Sequence, residues 1–185
     1  ALEKLFEESG EAEAAAESRA AAVRCAATLE KSFDEQLGFI PAVLDGDNQS
    51  AIVPAVEALV YPWHMGLKEA VTETGPYGGY IRMLKRHVEN ILKPGICLYE
   101  DGGWKLSSSA DNSWMSKICL SQFVVREILG LHYEGEEHAD VAHVRWEAEG
   151  AKSHACSDQF SSGKPIGSRF YPRIVTSILW MSEGP

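Results

Sequence analysis

Two kinds of helical segment alternate along this chain, and the alternation predicts the type of fold. Three segments are amphipathic, with one face suited to water, whereas three are apolar on nearly every side, as buried helices are. A layer of half-exposed helices around an inner layer of buried ones accommodates both kinds. The sequence therefore predicts an all-α protein with the two concentric layers of an α/α toroid. The amphipathic segments are residues 11–33, 80–92 and 136–149, and the apolar segments are residues 51–71, 113–129 and 172–181.

Three long polar loops each precede one of the apolar helices. They span residues 45–50, 101–112 and 156–171. In a two-layered arrangement these loops gather at one end of the inner helices, where unpaired helix N–H groups also point. We therefore expect the binding face of the protein at that end.

The segment 101–117 has an unusual composition for a loop. It holds two tryptophans, two glycines, two aspartates, two lysines and five serines. Large aromatic side chains in a loop require a reason, and a bound sugar is one, because pyranose rings offer apolar C–H faces to tryptophan and hydroxyls to polar groups. Trp104 and Trp114 are the candidates for such stacking. The alternative is that both simply pack the loop onto the helices.

Several polar residues near the same loops are candidates for binding hydroxyl groups. Asp111 and Asn112 precede an apolar helix, where they either cap its N-terminus or contact a sugar. Asp158 and Gln159 offer a carboxylate and an amide side by side. Arg173, at the start of the last apolar helix, either orients a catalytic carboxylate or forms an ordinary ion pair.

Glu57 lies inside an otherwise apolar segment. A carboxylate in such a position is usually paired or hydrogen-bonded. The first interpretation is therefore a structural ion pair, and the second is a contact with sugar near the barrel axis. The segment also contains Pro62, which should kink or break a helix because it lacks an N–H donor.

Charge and residue usage exclude several classes of partner. The net charge is −10 and no basic stripe is present, which argues against nucleic acid and anionic membranes. No run of 18 apolar residues suggests a transmembrane helix. The four cysteines are widely spaced, and His138 and His143 are five residues apart, so neither set has metal-ligand spacing. We expect reduced cysteines, a cytoplasmic location, no metal and no cofactor.

The order of several longer motifs resembles a known family. They are GFIPAVL, IVPAVEALVYP, GICLYEDGGWKLSSSADNSWMSKICLSQFVVREILG, AHVRW, SDQ and YPRIVTSILW. Together they resemble the C-terminal part of glycoside hydrolase family 52, the bacterial β-xylosidases. The resemblance covers nearly the whole chain. It implies a β-sandwich domain followed by an (α/α)6 barrel, and hydrolysis of xylo-oligosaccharides with retention at the anomeric carbon.

The resemblance also limits what this chain is expected to contribute. The family's nucleophile, a glutamate, and its acid/base, an aspartate, are expected upstream of Ala1, so no catalytic residue is assigned within residues 1–185. The helical stripe of residues 1–9 is then the end of a longer helix. The chain would form roughly the C-terminal half of the barrel and one wall of the sugar pocket. It should need the upstream part for activity, and the family suggests a homodimer.

Two other functions fit the residues. An inverting glycosidase would carry its own acid and base, with two carboxyl groups roughly 6.5–9.5 Å apart across a cleft. A non-catalytic helical module would instead bind partners through an apolar face. The carboxylates available to an inverting enzyme are Glu57, Asp101, Asp111 and Asp158.

Overall fold

A computed structural model describes residues 1–150 and 158–166. The fold is mostly helical, as predicted, but it also contains a small antiparallel sheet, so the all-α prediction is corrected. The predicted last helix, residues 172–181, and Arg173 lie outside the described residues. The α-helices are α1 (Leu2–Glu8), α2 (Ala12–Lys31), α3 (Val60–His64), α4 (Gly78–Ile91), α5 (Met115–Phe123) and α6 (Glu136–Gly150), and the strands are β1 (Asn112–Trp114), β2 (Gln159–Ser161) and β3 (Lys164–Pro165).

The first two helices fold against each other on the outside of the molecule. Gly10, with φ of 79°, provides the left-handed conformation that ends α1. The Arg19 guanidinium lies 2.6 Å from the Glu3 carboxylate and links the two helices. Of the residues in α2, only Ala15 is buried, in keeping with the predicted outer position. None of the helices within the described parts of the chain is long and apolar enough to cross a membrane.

The segment 51–71 is only partly buried and is not one helix, so the prediction of a buried helix is corrected. Tyr61 is 57% exposed, and the buried residues are Ala51, Val53, Val56, Leu59, Val60 and Val71. It consists of a 3₁₀ helix (Val53–Leu59), the short α3 and a second 3₁₀ turn (Lys68–Val71). Because α3 begins at Val60, Pro62 falls in its first turn, where the missing N–H donor costs nothing. The chain does change helix type in this segment, but the change falls between Leu59 and Val60, and Pro62 does not break the helix in which it lies.

In the second apolar segment, residues 113–129, the helix begins later than predicted. The first two residues of the segment, Ser113 and Trp114, belong to β1, and α5 begins at Met115. After Phe123 the helix widens into a π-helical turn (Val124–Ile128) and ends before Gly130, whose φ is 62°. The buried residues of this stretch are Met115, Ser116, Ile118, Ser121, Gln122, Val124 and Val125.

The sheet joins β1 to a hairpin from the end of the described chain. Its order is β1-β2-β3, and both pairs are antiparallel. Ser162 and Gly163, with φ of 48° and 73°, form a two-residue turn of the kind that suits the twist of a hairpin. Phe160, at the centre of β2, is fully buried and lies 5.9 Å from the ring of Trp146 on α6. The inner face of the sheet thus belongs to the core.

Candidate functional site

The other face of the sheet gathers several of the predicted binding residues. Trp114 pairs with Gln159, and Asn112 pairs with Ser161. Because side chains alternate along a strand, these four residues share one face, while the intervening Ser113 and Phe160 face the core. All four are half-buried. We call Asn112, Trp114, Gln159 and Ser161 the outer sheet face.

Charged side chains flank the outer sheet face. Lys164 on β3 pairs with Ser161 and is exposed. Asp111 precedes β1, and its carboxylate lies 3.3 Å from the Lys105 ammonium. An indole, two amides, a hydroxyl and an ammonium thus occur on one small surface. This set offers both apolar stacking and hydrogen-bond donors and acceptors.

Asp158 lies behind the sheet and caps a helix. It is fully buried, its carbonyl oxygen accepts a hydrogen bond from the Met115 N–H at 2.7 Å, and its Oδ1 accepts one from the Ser116 N–H at 2.7 Å. The N-terminus of α5 is therefore capped by a residue distant in sequence. The expectation that Asn112 caps this helix is wrong, because Asn112 lies in β1 and the helix begins three residues later.

Trp104 lies in the core, apart from the outer sheet face. It is fully buried, and its indole Nε1–H donates to the Tyr133 hydroxyl at 2.7 Å. Its backbone N–H donates to His143 Nε2 at 3.0 Å, and its carbonyl accepts a hydrogen bond from the Ser113 hydroxyl at 2.6 Å. This is the position expected from the alternative in which the tryptophan packs the loop onto the helices.

Trp146 on α6 contacts both the loop 101–112 and the turn between β2 and β3. Its indole Nε1–H donates to Asp101 Oδ2 at 3.0 Å, and Asp101 also pairs with Arg145. A Cβ atom at Gly103 would lie 2.2 Å from the Trp146 ring, and one at Gly163 would lie 2.6 Å from it. Both glycines are therefore required for the ring to fit. The role of Trp146 was not predicted from the sequence. The pair Gly102-Gly103 was the available signal, because glycine allows another part of the chain to approach the backbone closely.

His143 makes the stability of this region depend on pH. Its Nε2 accepts the Trp104 N–H, so the ring is neutral. Burial lowers the pKa of His143 to about 4, with Arg126 acting in the same direction and Asp140 and Asp101 acting against it. Between the ordinary pKa of about 6.5 and this value, the unfolded chain binds a proton that the folded chain does not. Folding stability therefore falls as the pH drops through this window.

We predict that lowering the pH from 7 to 5 removes about 2 kcal/mol of stability through His143. Urea unfolding at a series of pH values measures this loss. His143→Gln should flatten the dependence more than His132→Gln, which alters an exposed histidine. An identical slope in the wild type and in His143→Gln would contradict the assignment.

The carboxylates required by an inverting enzyme have structural partners here. Asp101 binds Trp146 and Arg145, Asp158 caps α5, and Asp111 lies next to Lys105. Glu57 forms the ion pair expected for a carboxylate in an apolar segment, with its Oε2 2.8 Å from Lys117 Nζ. Within residues 1–150 and 158–166, no group of three or more His, Cys, Asp or Glu side chains is arranged to hold a metal ion.

A large groove lies elsewhere in the molecule. It has a volume of about 860 Å³ and runs between α1, α2 and the segment from Ala58 to Tyr80. None of the predicted binding residues and none of the four carboxylates lines it. It is lined by apolar side chains, among them Leu29, Leu59 and Leu67, and by charged ones such as Arg19 and Glu69. The groove is therefore separate from the outer sheet face.

Comparison with known proteins adds the decisive observation. The chain matches no family model. It is 46% identical, over 186 aligned positions that include the whole chain, to a protein of Geobacillus stearothermophilus named Beta-xylosidase. The chain is similar to a β-xylosidase throughout. It spans 26% of the length of that relative. The resemblance to β-xylosidases seen in the sequence motifs is confirmed by this finding.

Proposed function

We propose that this chain is part of a β-xylosidase and that the outer sheet face contributes one wall of its xylose pocket. The similarity to the β-xylosidase of Geobacillus stearothermophilus supports the activity. The pairing of Trp114 with Gln159 and of Asn112 with Ser161 supports the wall, and this register is the observation that carries the proposal.

The chemistry of the outer sheet face suits a pyranose. The indole of Trp114 can cover the apolar face of the ring, and the amides of Asn112 and Gln159 can donate to or accept from its hydroxyls. Neutral groups of this kind bind sugars without requiring a charge on the ligand. Asp111 and Lys164, at the edges, extend the same surface to a second sugar unit. The predicted role of Arg173, which lies outside the described residues, stays a prediction.

The catalytic steps are proposed to take place on residues outside this chain. In a retaining glycosidase, two carboxyl groups about 5–5.5 Å apart act as nucleophile and acid/base. The structural roles of the carboxylates described above favour this division over an inverting enzyme with its own pair. We further propose that the chain forms part of an (α/α)6 barrel. A homodimer, a cytoplasmic location and independence of cofactors stay predictions.

Hydrolysis by the intact polypeptide that contains this chain tests the proposal. We expect release of 4-nitrophenol from 4-nitrophenyl β-xyloside, with β-xylose as the first product in an NMR time course. Activity on other glycosides but none on xylosides would contradict the proposal, and α-xylose as first product would favour inversion. Purified residues 1–185 should be inactive, and hydrolysis by them alone would show that a catalytic pair lies within this chain.

A further inference from the structure

The groove between α1, α2 and the segment from Ala58 to Tyr80 extends past the residue at which α1 begins. The Glu3 carboxylate lies 2.6 Å from the Arg19 guanidinium, and a short turn at Gly10 joins the two helices, so α1 and α2 are antiparallel. Arg19 is near the middle of α2, which has 20 residues. Residues 22–31, about 15 Å of helix, therefore lie beyond Ala1 and have no counterpart in α1.

One face of α2 leads from α1 into the groove. Ala15, Arg19, Ala22, Ala26 and Leu29 follow one another at spacings of three and four residues, so they share a face of the helix. Ala15 is buried, and α1 packs against α2. The other four residues line the groove, and Ala22 is exposed. The face that supports α1 is thus left open by the described residues beyond Ala1.

The shape of the groove suits a helix. Its second wall includes Ala58, Leu59, Leu67 and Ala70. Alanines on both walls allow a helix to approach closely, and the leucines offer apolar surface for it to bury. Ala1 itself lines the groove, and its carbonyl accepts a hydrogen bond from the Leu5 N–H. A helix that continued α1 upstream would therefore enter the groove without a break in its hydrogen bonds.

The charges in the groove indicate the chemistry of its occupant. Four carboxylates and two basic side chains line it, namely Glu3, Glu7, Glu8 and Glu69, and Lys4 and Arg19. This excess of negative charge favours an occupant that carries Lys or Arg beside its apolar face.

We propose that the polypeptide preceding Ala1 continues α1 as one helix, antiparallel to α2, and that this upstream helix binds in the groove against Ala22, Ala26 and Leu29. It presents an apolar stripe to the groove, with basic side chains beside the stripe. The inference rests on the proposed function, in which the catalytic residues lie outside this chain. It goes beyond that function by assigning the surface at which the two parts of the polypeptide join. The chain spans 26% of its relative, which leaves room for such a helix.

The thiol of Cys25 tests whether the groove is filled in the intact polypeptide. Cys25 lines the groove and is exposed in the described structure. The intact polypeptide is treated with iodoacetamide under native conditions, and peptide mass spectrometry follows the modification of Cys25. We expect Cys25 to react at least about 50-fold more slowly than the introduced thiol of Ala27→Cys, because a thiol covered by a helix reacts only during local opening.

Ala27 provides a matched control on the same helix. It is exposed, does not line the groove and lies on the opposite side of α2 from Cys25. Rates for Cys25 and Ala27→Cys within about threefold of each other would overturn the inference, since local opening would then not limit either reaction.

Photo-cross-linking identifies the segment that covers Cys25. With p-benzoylphenylalanine in place of Cys25, adducts should form with the roughly ten residues that precede Ala1, which antiparallel pairing places opposite residues 22–31. Adducts with residues 167–185 or with a second copy of the polypeptide would overturn the inference. If this variant does not fold, the Cys25 rate in the unsubstituted polypeptide still decides whether the groove is filled. A protected Cys25 in a polypeptide that hydrolyses no xyloside would overturn the proposed function and leave this inference standing.

Discussion

Replacing Trp104 by alanine is expected to lower the free energy of unfolding by about 4 kcal/mol. The side chain is fully buried, and its removal leaves a cavity that the surrounding rings cannot fill. The substitution also deprives the Tyr133 hydroxyl of its donor. Urea unfolding followed by circular dichroism measures the loss.

The control for Trp104 is a tryptophan that is not in the core. Trp63 on α3 is half-buried, and the Lys68 ammonium lies 5.0 Å from its ring centre. Trp63→Ala should therefore cost clearly less than Trp104→Ala. If Trp104→Ala lowered the unfolding free energy by less than about 1 kcal/mol, the central position of this ring would be refuted.

Replacing Asp158 by alanine is expected to lower the free energy of unfolding by about 3 kcal/mol, because the Ser116 N–H loses its side-chain acceptor in a buried setting. The helix α5 should fray at its first turn, which carries Lys117 and adjoins Trp114. Asp158→Asn retains an oxygen acceptor and should cost about 1 kcal/mol.

Hydrogen exchange locates the effect of Asp158. In Asp158→Ala, the Ser116 amide should exchange faster than in the wild type. This increase should exceed any increase in the exchange rates of the amides at the end of α4. Asp111→Ala, which removes a mostly exposed carboxylate from the neighbourhood of Lys105, serves as the control and should cost less than about 1 kcal/mol. Unchanged protection of Ser116 in Asp158→Ala would contradict the capping role.

Helical periodicity predicted most of the helices because it is a local property of the chain. The predicted segments 11–33, 80–92 and 136–149 correspond to α2, α4 and α6 with boundaries that differ by two residues or fewer. Each of these helices has a continuous pattern over three turns or more, which neighbouring segments cannot easily override.

The sheet could not be predicted from local pattern. Its strands are two or three residues long, too short for an alternation of period two to be visible. The pairing of Trp114 with Gln159 joins segments that are distant in sequence, and so does the cap that Asp158 places on α5. Ser162 and Gly163, between Phe160 and Pro165, were the only local signal, since Ser-Gly favours a turn.

The candidate site was predicted in composition but not in arrangement. The segment 101–117 contains both tryptophans, and nothing in its sequence separates their roles. Trp104 is buried because His143 and Tyr133, from later parts of the chain, bind it, whereas Trp114 lies on the opposite face because it is in β1. Glu57 was predicted to form an ion pair, but its partner Lys117 is distant in sequence and could not be named from the local pattern.

The most direct measurement is the kinetics of xyloside hydrolysis by Trp114→Ala in the intact polypeptide. We predict that kcat/KM falls about 5- to 10-fold, mainly through a higher KM, because the sugar loses an aromatic surface while the catalytic carboxylates stay in place. Trp63→Ala, which removes a half-buried tryptophan outside the outer sheet face, should leave kcat/KM nearly unchanged. Equal kinetics in Trp114→Ala and the wild type, in proteins of equal stability, would contradict the assignment of this face to the sugar pocket.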